Sequence, residues 1–596
     1  METKSRRIQL LRESMRAENV QACIIPTTDP HISEYTPEHW KIRSWLSHFT
    51  GSAGTLLVTE SEAGLWTDSR YFLQAEKELE GTGIDLYKAG LPNTPEMKTW
   101  LSEKLPENSC VAFDGEVFAA SEARSLIDFL QKKKIRTRTD FSPYDSIWKD
   151  RPGIPANPAF ILPESFSGKS VREKIEEVLS KLRKEGAYLT VLASLDSIAW
   201  LFNLRGNDVA FNPVFLAFAV ISEKETVLFI DPKKRTEELV SYLREQGVVL
   251  ADYTKLYTYL SKIAANTNVL ITPSKINYTI YSSFPAGCIL KEIDVHPVDA
   301  LKAVKNETEI LGFRNAMRKD GVALVKFLIW LEERLESEQS FRELDVSNML
   351  RHYRKEQDFF FGESFETISA YGPHGAIVHY GATEETNAEI RPEGILLLDS
   401  GGQYFDGTTD ITRSISCGNV SEEMKIDYTN VLKGHIQLAK IHFPAGTIGM
   451  QLDVLARQFL WQNNDNFLHG TGHGIGHFLN VHEGPQSIRM NYNPVALEPG
   501  MVTSNEPGIY RAGKYGIRIE NLILTVKAGD TESGAFYCFE TLTLCPIDTK
   551  LIVKERLSED EVNWLNTYHQ KVYDELSPLL NEEERQWLKQ KCESIF

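Results

Sequence analysis

Apolar residues follow two different rhythms along this chain. In the first half, short apolar runs end near an aspartate, ACIIPTTD before Asp29 and LTVLASLD before Asp196, and each predicts a buried strand. Behind each run a matching pattern follows, Trp45-Leu46-x-x-Phe49-x-Gly51 and Trp200-Leu201-x-x-Leu204-x-Gly206, and then β-rich sequence (GTLLVTESEAGLWTD; VFLAFAVISEKETVLFID). Such an echo predicts two similar α/β domains. The stretch between them, SPYDSIWKDRPGIPANPAFILPESFSG, holds five prolines and predicts an extended linker with a boundary near residue 155. A second connection falls at residues 296–306, after which Asn306-x-x-Glu309 forms a capping box. It opens a long helix whose apolar face carries Ile310, Phe313, Met317, Leu324, Phe327, Leu328 and Leu335. From residue 360 the rhythm changes to short β segments broken by glycines: ILLLDSGGQY, TDITRSISC, GMVTSNEP, IRIENLILTV and ETLTLCPI. An amphipathic helix interrupts them at IDYTNVLKGHIQLAKIHF. A last helix starts at Ser558, with Glu561 as capping-box partner, and buries Trp564, Leu565, Tyr568 and Val572. The expected domains are 1–155, 156–300 and 301–596.

Composition narrows the partners. At 596 residues the chain exceeds the roughly 250–300 residues at which single cores stop growing, so about three or four domains are expected. The net charge of −18, from 83 acidic and 65 basic residues, opposes nucleic-acid phosphates and anionic membranes, although solubility alone explains such a balance. No run reaches the 18 or so apolar residues of a membrane span. The N-terminal METKSRRIQLLRESMRAEN lacks the apolar centre of a signal peptide, and the terminal CESIF carries no lipidation or retention signal. Seven scattered cysteines without a C-x-x-C pair suit a reducing cytoplasm.

The chemistry lies in the last third. In ILLLDSGGQYFDGTTDITRSI an apolar strand delivers Asp399, a glycine-rich turn reverses the chain, and Asp410 sits on the returning strand. Two such carboxylates can face one pocket and hold hard or borderline divalent ions; taken alone, a turn rich in Asp and Gly for backbone reasons explains them as well. The segment FLHGTGHGIGHFLNVHEGP brings His469, His473, His477 and His482 together. His473 and His477 have helical spacing, but glycines at 470, 472, 474 and 476 would each cost a helix about 1 kcal/mol. An extended chain is expected, with 469, 473 and 477 on one face. A dinucleotide loop is not, because the strand before and the helix with its acid after are missing. His435 and His569 read as structural. Glu506 precedes a Pro-Gly turn, and Glu520 lies inside an apolar strand where it needs a partner. Arg518, two residues away, offers an ion pair; a metal is the sharper alternative.

Together LLLDSGGQYFDGTTDITR, LHGTGHG, NVHEGP, NEPGIY and GIRIENL resemble the catalytic domain of the aminopeptidase P family, the Xaa-Pro aminopeptidases of the pita-bread metallopeptidase group. The resemblance covers the whole chain, including LWTDSRYFLQA at 65–75, the duplicated N-terminal domains and a length similar to the three-domain cytosolic form. It implies an α/β (α+β) architecture: two related creatinase-like N-terminal domains, then a pita-bread catalytic domain. It implies that Asp399 and Asp410 bind two divalent ions, Asp410 bridging both, that His473 and Glu506 complete one site, and that Glu520 bridges. Manganese is the usual ion, with cobalt and zinc as alternatives. It further implies that His379 in AIVHYG, His469 and His482 surround the substrate as proton donors and hydrogen-bonding groups, and that Glu506 takes a proton from water. The expected substrates are peptides with an N-terminal Xaa-Pro, and a cytoplasmic homodimer is expected. The chain departs from the family pattern at Gly381-Ala382, where Ala-Pro often follows His-Tyr.

The rivals are weaker. A methionine aminopeptidase lacks 300 duplicated N-terminal residues, a prolidase typically has one N-terminal domain and takes dipeptides, and a creatinase-like C–N hydrolase or a non-enzymatic pita-bread module does not need these ligands. Asp29 and Arg70 could line a substrate wall, but ordinary structural ion pairing is the expectation.

Overall fold

The computed structural model describes residues 4–337 and 339–595. Met1–Thr3 of the charged N-terminal stretch and Phe596 of CESIF lie outside the described residues. The chain divides into two compact units, Met1–Pro163 with Lys169–Val298, and Glu164–Gly168 with Asp299–Phe596.

The first unit holds two six-stranded sheets. One contains β1 (Ala22–Pro26), β2 (Thr55–Thr59), β3 (Ala63–Thr67), β4 (Asp85–Lys88), β5 (Cys110–Ala112) and β6 (Arg136–Arg138), in the order β4-β3-β2-β1-β5-β6. The other contains β7 (Leu189–Leu192), β8 (Ala217–Ser222), β9 (Thr226–Ile230), β10 (Val248–Ala251), β11 (Asn268–Ile271) and β12 (Ile289–Glu292), in the order β10-β9-β8-β7-β11-β12. Directions match strand for strand. β1 and β7 each pair antiparallel with the second strand of their own sheet and parallel with the fifth. The sequence echo is therefore a repeated topology. Its Trp-Leu pairs close the short helices Ile42–Ser47 and Leu195–Leu201, where Leu46 and Leu201 are fully buried.

The proline-rich stretch is less extended than its composition suggests. It forms the short helix Tyr144–Ile147, a two-residue strand Phe160–Ile161 paired with Leu204–Arg205, and the turn of helix Glu164–Ser167. Proline forbids a long helix but tolerates a first turn, and Pro143 stands at the N-cap of the first of these helices.

In the second unit the predicted long helix is α1 (Glu307–Glu336). Asn306 accepts from the Glu309 N–H, and the Glu309 carboxylate accepts from the Asn306 N–H, each at 3.0 Å. Five further helices follow among the described residues: α2 (Glu343–Lys355), α3 (Glu422–Ala439), α4 (Gly449–Trp461), α5 (Glu559–Leu576) and α6 (Glu582–Lys591). A three-stranded sheet joins β13 (Ile368–Tyr371), β14 (Ile395–Ser400) and β15 (Ile411–Ser416). A six-stranded sheet is built from β16 (Phe443–Pro444), β17 (Gly472–Gly474), β18 (Glu483–Ile488), β19 (Val502–Asn505), β22 (Asn521–Thr531) and β23 (Gly534–Thr541), and β20 (Gly508–Arg511) and β21 (Tyr515–Arg518) form a hairpin. Helices and sheets share one core, with Phe313, Tyr428, Val431, Ile475, Val502, Ile517, Leu522 and Leu565 among its members.

Three expectations change here. IRIENLILTV is two strands, because β21 pairs with β20 while β22 pairs with β19 and β23, so the chain changes sheets at Ile519-Glu520. ETLTLCPI contributes only Glu540 and Thr541 to a strand, and the buried remainder leaves the ladder. Trp564 is half-buried on α5, stacked on Tyr568 with ring centroids 5.4 Å apart.

Candidate metal centre

The centre is assembled where the β14–β15 hairpin meets the sheet change. Asp399 lies on β14 opposite Thr412 of β15, and Asp410 occupies the position just before β15. The turn between them needs glycine: a Cβ on Gly401 would stand 2.0 Å from the Thr409 carbonyl oxygen. Across the gap, the Glu520 N–H donates to the Thr412 carbonyl at 3.0 Å, and the Thr412 hydroxyl donates to Glu520 Oε2 at 2.8 Å. Glu520 is thus held at both backbone and side chain.

His473 comes from β17, which packs so tightly on β19 that a Cβ on Gly472 would meet the Ser504 carbonyl oxygen at 2.0 Å. Nδ1 of His473 lies 3.0 Å from the Gly474 carbonyl. With that nitrogen donating, Nε2 is the one left to act as a ligand. Nε2 stands 3.3 Å from Glu506 Oε1 and 3.5 Å from Asp410 Oδ2. One potential ligand atom from each of Asp410, His473 and Glu520 lies within 4.8 Å of the others. Glu506 follows β19; its N–H donates to the Thr471 carbonyl at 2.8 Å, and Ser504 Oγ donates to its Oε1 at 3.2 Å.

The histidines divide as follows. His469 Nδ1 lies 3.8 Å from Glu506 Oε2, and its Nε2 is 2.7 Å from the Tyr510 hydroxyl. The His482 ring stands nearly perpendicular to that of His473, with centroids 4.4 Å apart. His379 follows Val378, whose carbonyl accepts from Arg518 Nη2 at 3.4 Å. His477 departs from the expected shared face, because the strand ends at Gly474 and the ring turns to Phe313, 5.6 Å away. His435 and His569 are buried structural residues, and burial pushes their pKa values down to about 3 and about 4.

Arg518 does not pair with Glu520. Because the strand breaks between them, its Nη2 reaches Asp399 Oδ2 at 2.6 Å, Nη1 donates to the Tyr510 hydroxyl at 2.7 Å and Nε to Thr412 Oγ1 at 3.1 Å. A buried chain therefore runs from Asp399 through Arg518 and Tyr510 to His469. Tyr510 and this use of Arg518 escaped sequence reasoning; the available signal was a tyrosine in NEPGIY two residues beyond a Pro-Gly turn, facing Gly516 across the hairpin. In the first unit Arg70 is ion-paired as expected, to Asp68 at 2.8 Å. Asp29 is not; its Oδ1 accepts from the His31 and Ser33 N–H groups in a turn.

The electrostatics are lopsided. Burial, then the charges of Asp399 and Glu506, push the Asp410 carboxyl well above the usual carboxylate range. Burial, then Asp410 and Glu506, do the same to Glu520. Burial raises Glu506 to about 7 against the pull of Arg518. Asp399 Oδ1 is buried without a hydrogen-bond partner among the described residues. Four carboxylates gather about His473 and the one guanidinium of Arg518, with His469 and His482 alongside, and a donor set of carboxylate oxygens with the His473 nitrogen suits hard or borderline divalent cations. The residues present fit a metal centre.

A creatinase-like doubled sheet unit followed by a pita-bread unit with such a cage defines a metal-dependent hydrolase. Comparison with known proteins gives the same class. Residues 7–143 and 150–309 each match a creatinase/prolidase N-terminal domain, 312–527 match metallopeptidase family M24, and 535–595 match the C-terminal region of peptidase M24. The chain is 41% identical to a probable Xaa-Pro aminopeptidase P of Coprinopsis cinerea, over 99% of this chain and 98% of that protein. It is 37% identical to Xaa-Pro aminopeptidase 1 of Dictyostelium discoideum, over 99% and 96% of the two chains. The crystal structure of an X-prolyl aminopeptidase from Caenorhabditis elegans, described as a cytosolic enzyme with a di-nuclear active site, superposes with a TM-score of 0.96 at 34% identity and covers 100% of both chains. The chain belongs to metallopeptidase family M24, in its three-domain Xaa-Pro aminopeptidase P branch.

Proposed function

We propose that this chain hydrolyses the peptide bond between an N-terminal residue and a following proline, with two divalent ions held by Asp399, Asp410, His473, Glu506 and Glu520. The observation that carries the reading is the convergence of Asp410, His473 and Glu520, with Glu506 against His473, inside the segment that matches family M24. The di-nuclear site named for the nematode relative supports a count of two, and the oxygen-rich donor set supports manganese, with cobalt and zinc as the other ions to try. Bound ions supply Lewis acidity toward the scissile carbonyl and toward water.

The side chains do the rest. Glu506 accepts the proton of the attacking water on its carboxylate; Ser504 Oγ donates to that carboxylate, and the Glu506 backbone N–H, donating to the Thr471 carbonyl, fixes the residue at the end of β19. His482 steadies the developing oxyanion, and His379 and His469 hold the peptide by hydrogen bonds. Tyr510 fixes the His469 ring, and Arg518 fixes Asp399, so both are oriented before substrate arrives. A proline in the second position lacks an amide N–H, so the site must grip the substrate without that donor.

The same reading divides the chain at 1–155, 156–300 and 301–596, and carries a cytoplasmic homodimer, supported by the resemblance and by the cytosolic relative. No helix among the described residues is long and apolar enough to cross a membrane. The test is hydrolysis of an Arg-Pro-Pro peptide. Asp410→Ala or Glu506→Ala should abolish it, chelator should stop it and manganese restore it; near-normal turnover in either variant would reject the assignment.

A further inference from the structure

Outside the cage, one buried carboxylate gathers more partners than a structural staple at a helix start requires. Glu343, the first residue of α2, is fully buried. Its Oε1 accepts from the Tyr371 N–H at 2.8 Å and meets His374 Nδ1 at 2.8 Å. Its Oε2 accepts from the Tyr380 hydroxyl and from the Ala388 N–H, each at 2.9 Å. Its own N–H donates to the Ala388 carbonyl at 3.1 Å. Two carboxylate oxygens offer about four acceptor sites, and here all are taken.

These partners share one origin. Tyr371 and Ala388 are the two ends of the segment 371–388, and His374 and Tyr380 lie within it, their rings 4.4 Å apart. A single carboxylate closes the whole loop. On the opposite side, the loop backs onto β21 so closely that a Cβ on Gly516 would meet the Gly375 carbonyl oxygen at 1.7 Å, and Arg518 holds the Val378 carbonyl. The residue between the Arg518 contact at 378 and the Glu343 contact at 380 is His379.

We propose that Glu343 is a positioning residue for the reaction: through Tyr380 it sets the place of His379 at the metal centre. The inference rests on the reading that His379 meets the peptide. Misplacing a substrate-contacting group by about 1 Å can cost up to about a hundredfold in rate. A glutamine at 343 keeps the shape but replaces one acceptor oxygen with a donor amide that faces other donors.

The test is a double-mutant cycle on the intact, metal-loaded protein with an X-Pro-Pro tripeptide. Glu343→Gln should lower kcat/KM by about tenfold to a hundredfold with metal content unchanged, and the same substitution in a His379→Ala background should cost less than about twofold more. Equal losses in both backgrounds, with His379→Ala itself impaired, would mean that Glu343 only stabilises the fold and overturn the inference alone. Wild-type turnover by His379→Ala would overturn the reading beneath it. If Glu343→Gln does not fold, Tyr380→Phe carries the cycle, because it removes only the hydroxyl donor beside His379. Its loss should be about threefold to tenfold and should likewise vanish in the His379→Ala background.

Discussion

Two buried charged regions of the second unit lie close together and are built on opposite terms. At the first, Arg354 of α2 grips Asp320 of α1 through Nε at 2.8 Å and Nη2 at 3.1 Å, while the Tyr404 hydroxyl donates to the same aspartate at 2.9 Å. One cation meets one anion there. At the second, four carboxylates meet one guanidinium, and burial together with their mutual repulsion drives Asp410 and Glu520 toward the protonated form. A buried pair in balance ties helices together; a buried imbalance is tolerated only where something from outside completes it. The distinction separates a structural ion pair from a site.

The largest test removes one acid from each region. Asp410→Asn should reduce kcat/KM by at least about three orders of magnitude in steady-state assays, as expected when a group needed for metal-assisted hydrolysis is lost, yet leave the melting temperature of the metal-free protein unchanged or higher. Asp320→Asn should do the reverse. Leaving Arg354 buried and unpaired should cost about 3–5 kcal/mol in urea unfolding, with activity per folded molecule within severalfold of normal.

A pH series sharpens the contrast. The folded-state pKa of Glu506 is raised from 4.5 to about 7, so between those values the folded chain binds more protons than the unfolded one. Its contribution to stability is full below pH 4.5 and is lost as pH rises through about 7. A divalent ion that binds the ionised carboxylates offsets this loss, so the rise in melting temperature on adding manganese should be larger at pH 8 than at pH 5 in calorimetry. The smallest effect is expected at Tyr510, where removing the hydroxyl in Tyr510→Phe breaks its hydrogen bonds to Arg518 and His469 without touching the cage. A loss of about threefold to tenfold in kcat/KM with normal metal content would place it behind the site.

Much of this was legible in the sequence because local chemistry decided it. The Asn306 and Ser558 capping boxes open their helices in the structure, and the four acids that the motifs single out lie about the His473 imidazole and the Arg518 guanidinium. The repeat Trp45 to Gly51 and Trp200 to Gly206 marks a duplicated sheet order. What escaped was decided by long-range contact. Two-residue spacing puts Arg518 and Glu520 on one face only if their strand continues, and nothing local announces that β21 and β22 belong to different sheets. His477 follows the same logic, since four alternating glycines favour extended chain but do not say where it stops. Glu343 was invisible because its partners lie 28 to 45 residues away and are mostly backbone groups or tyrosine.

The two-residue passage from one sheet to the other at Ile519-Glu520 carries a consequence for how this protein can change. Arg518 is anchored by the hairpin on one side, and Asn521 by the larger ladder on the other, leaving no slack in between. An insertion or deletion there would pull the guanidinium and the glutamate out of register together, so variation in substrate preference has to be written into the surrounding loops while this joint stays fixed in length.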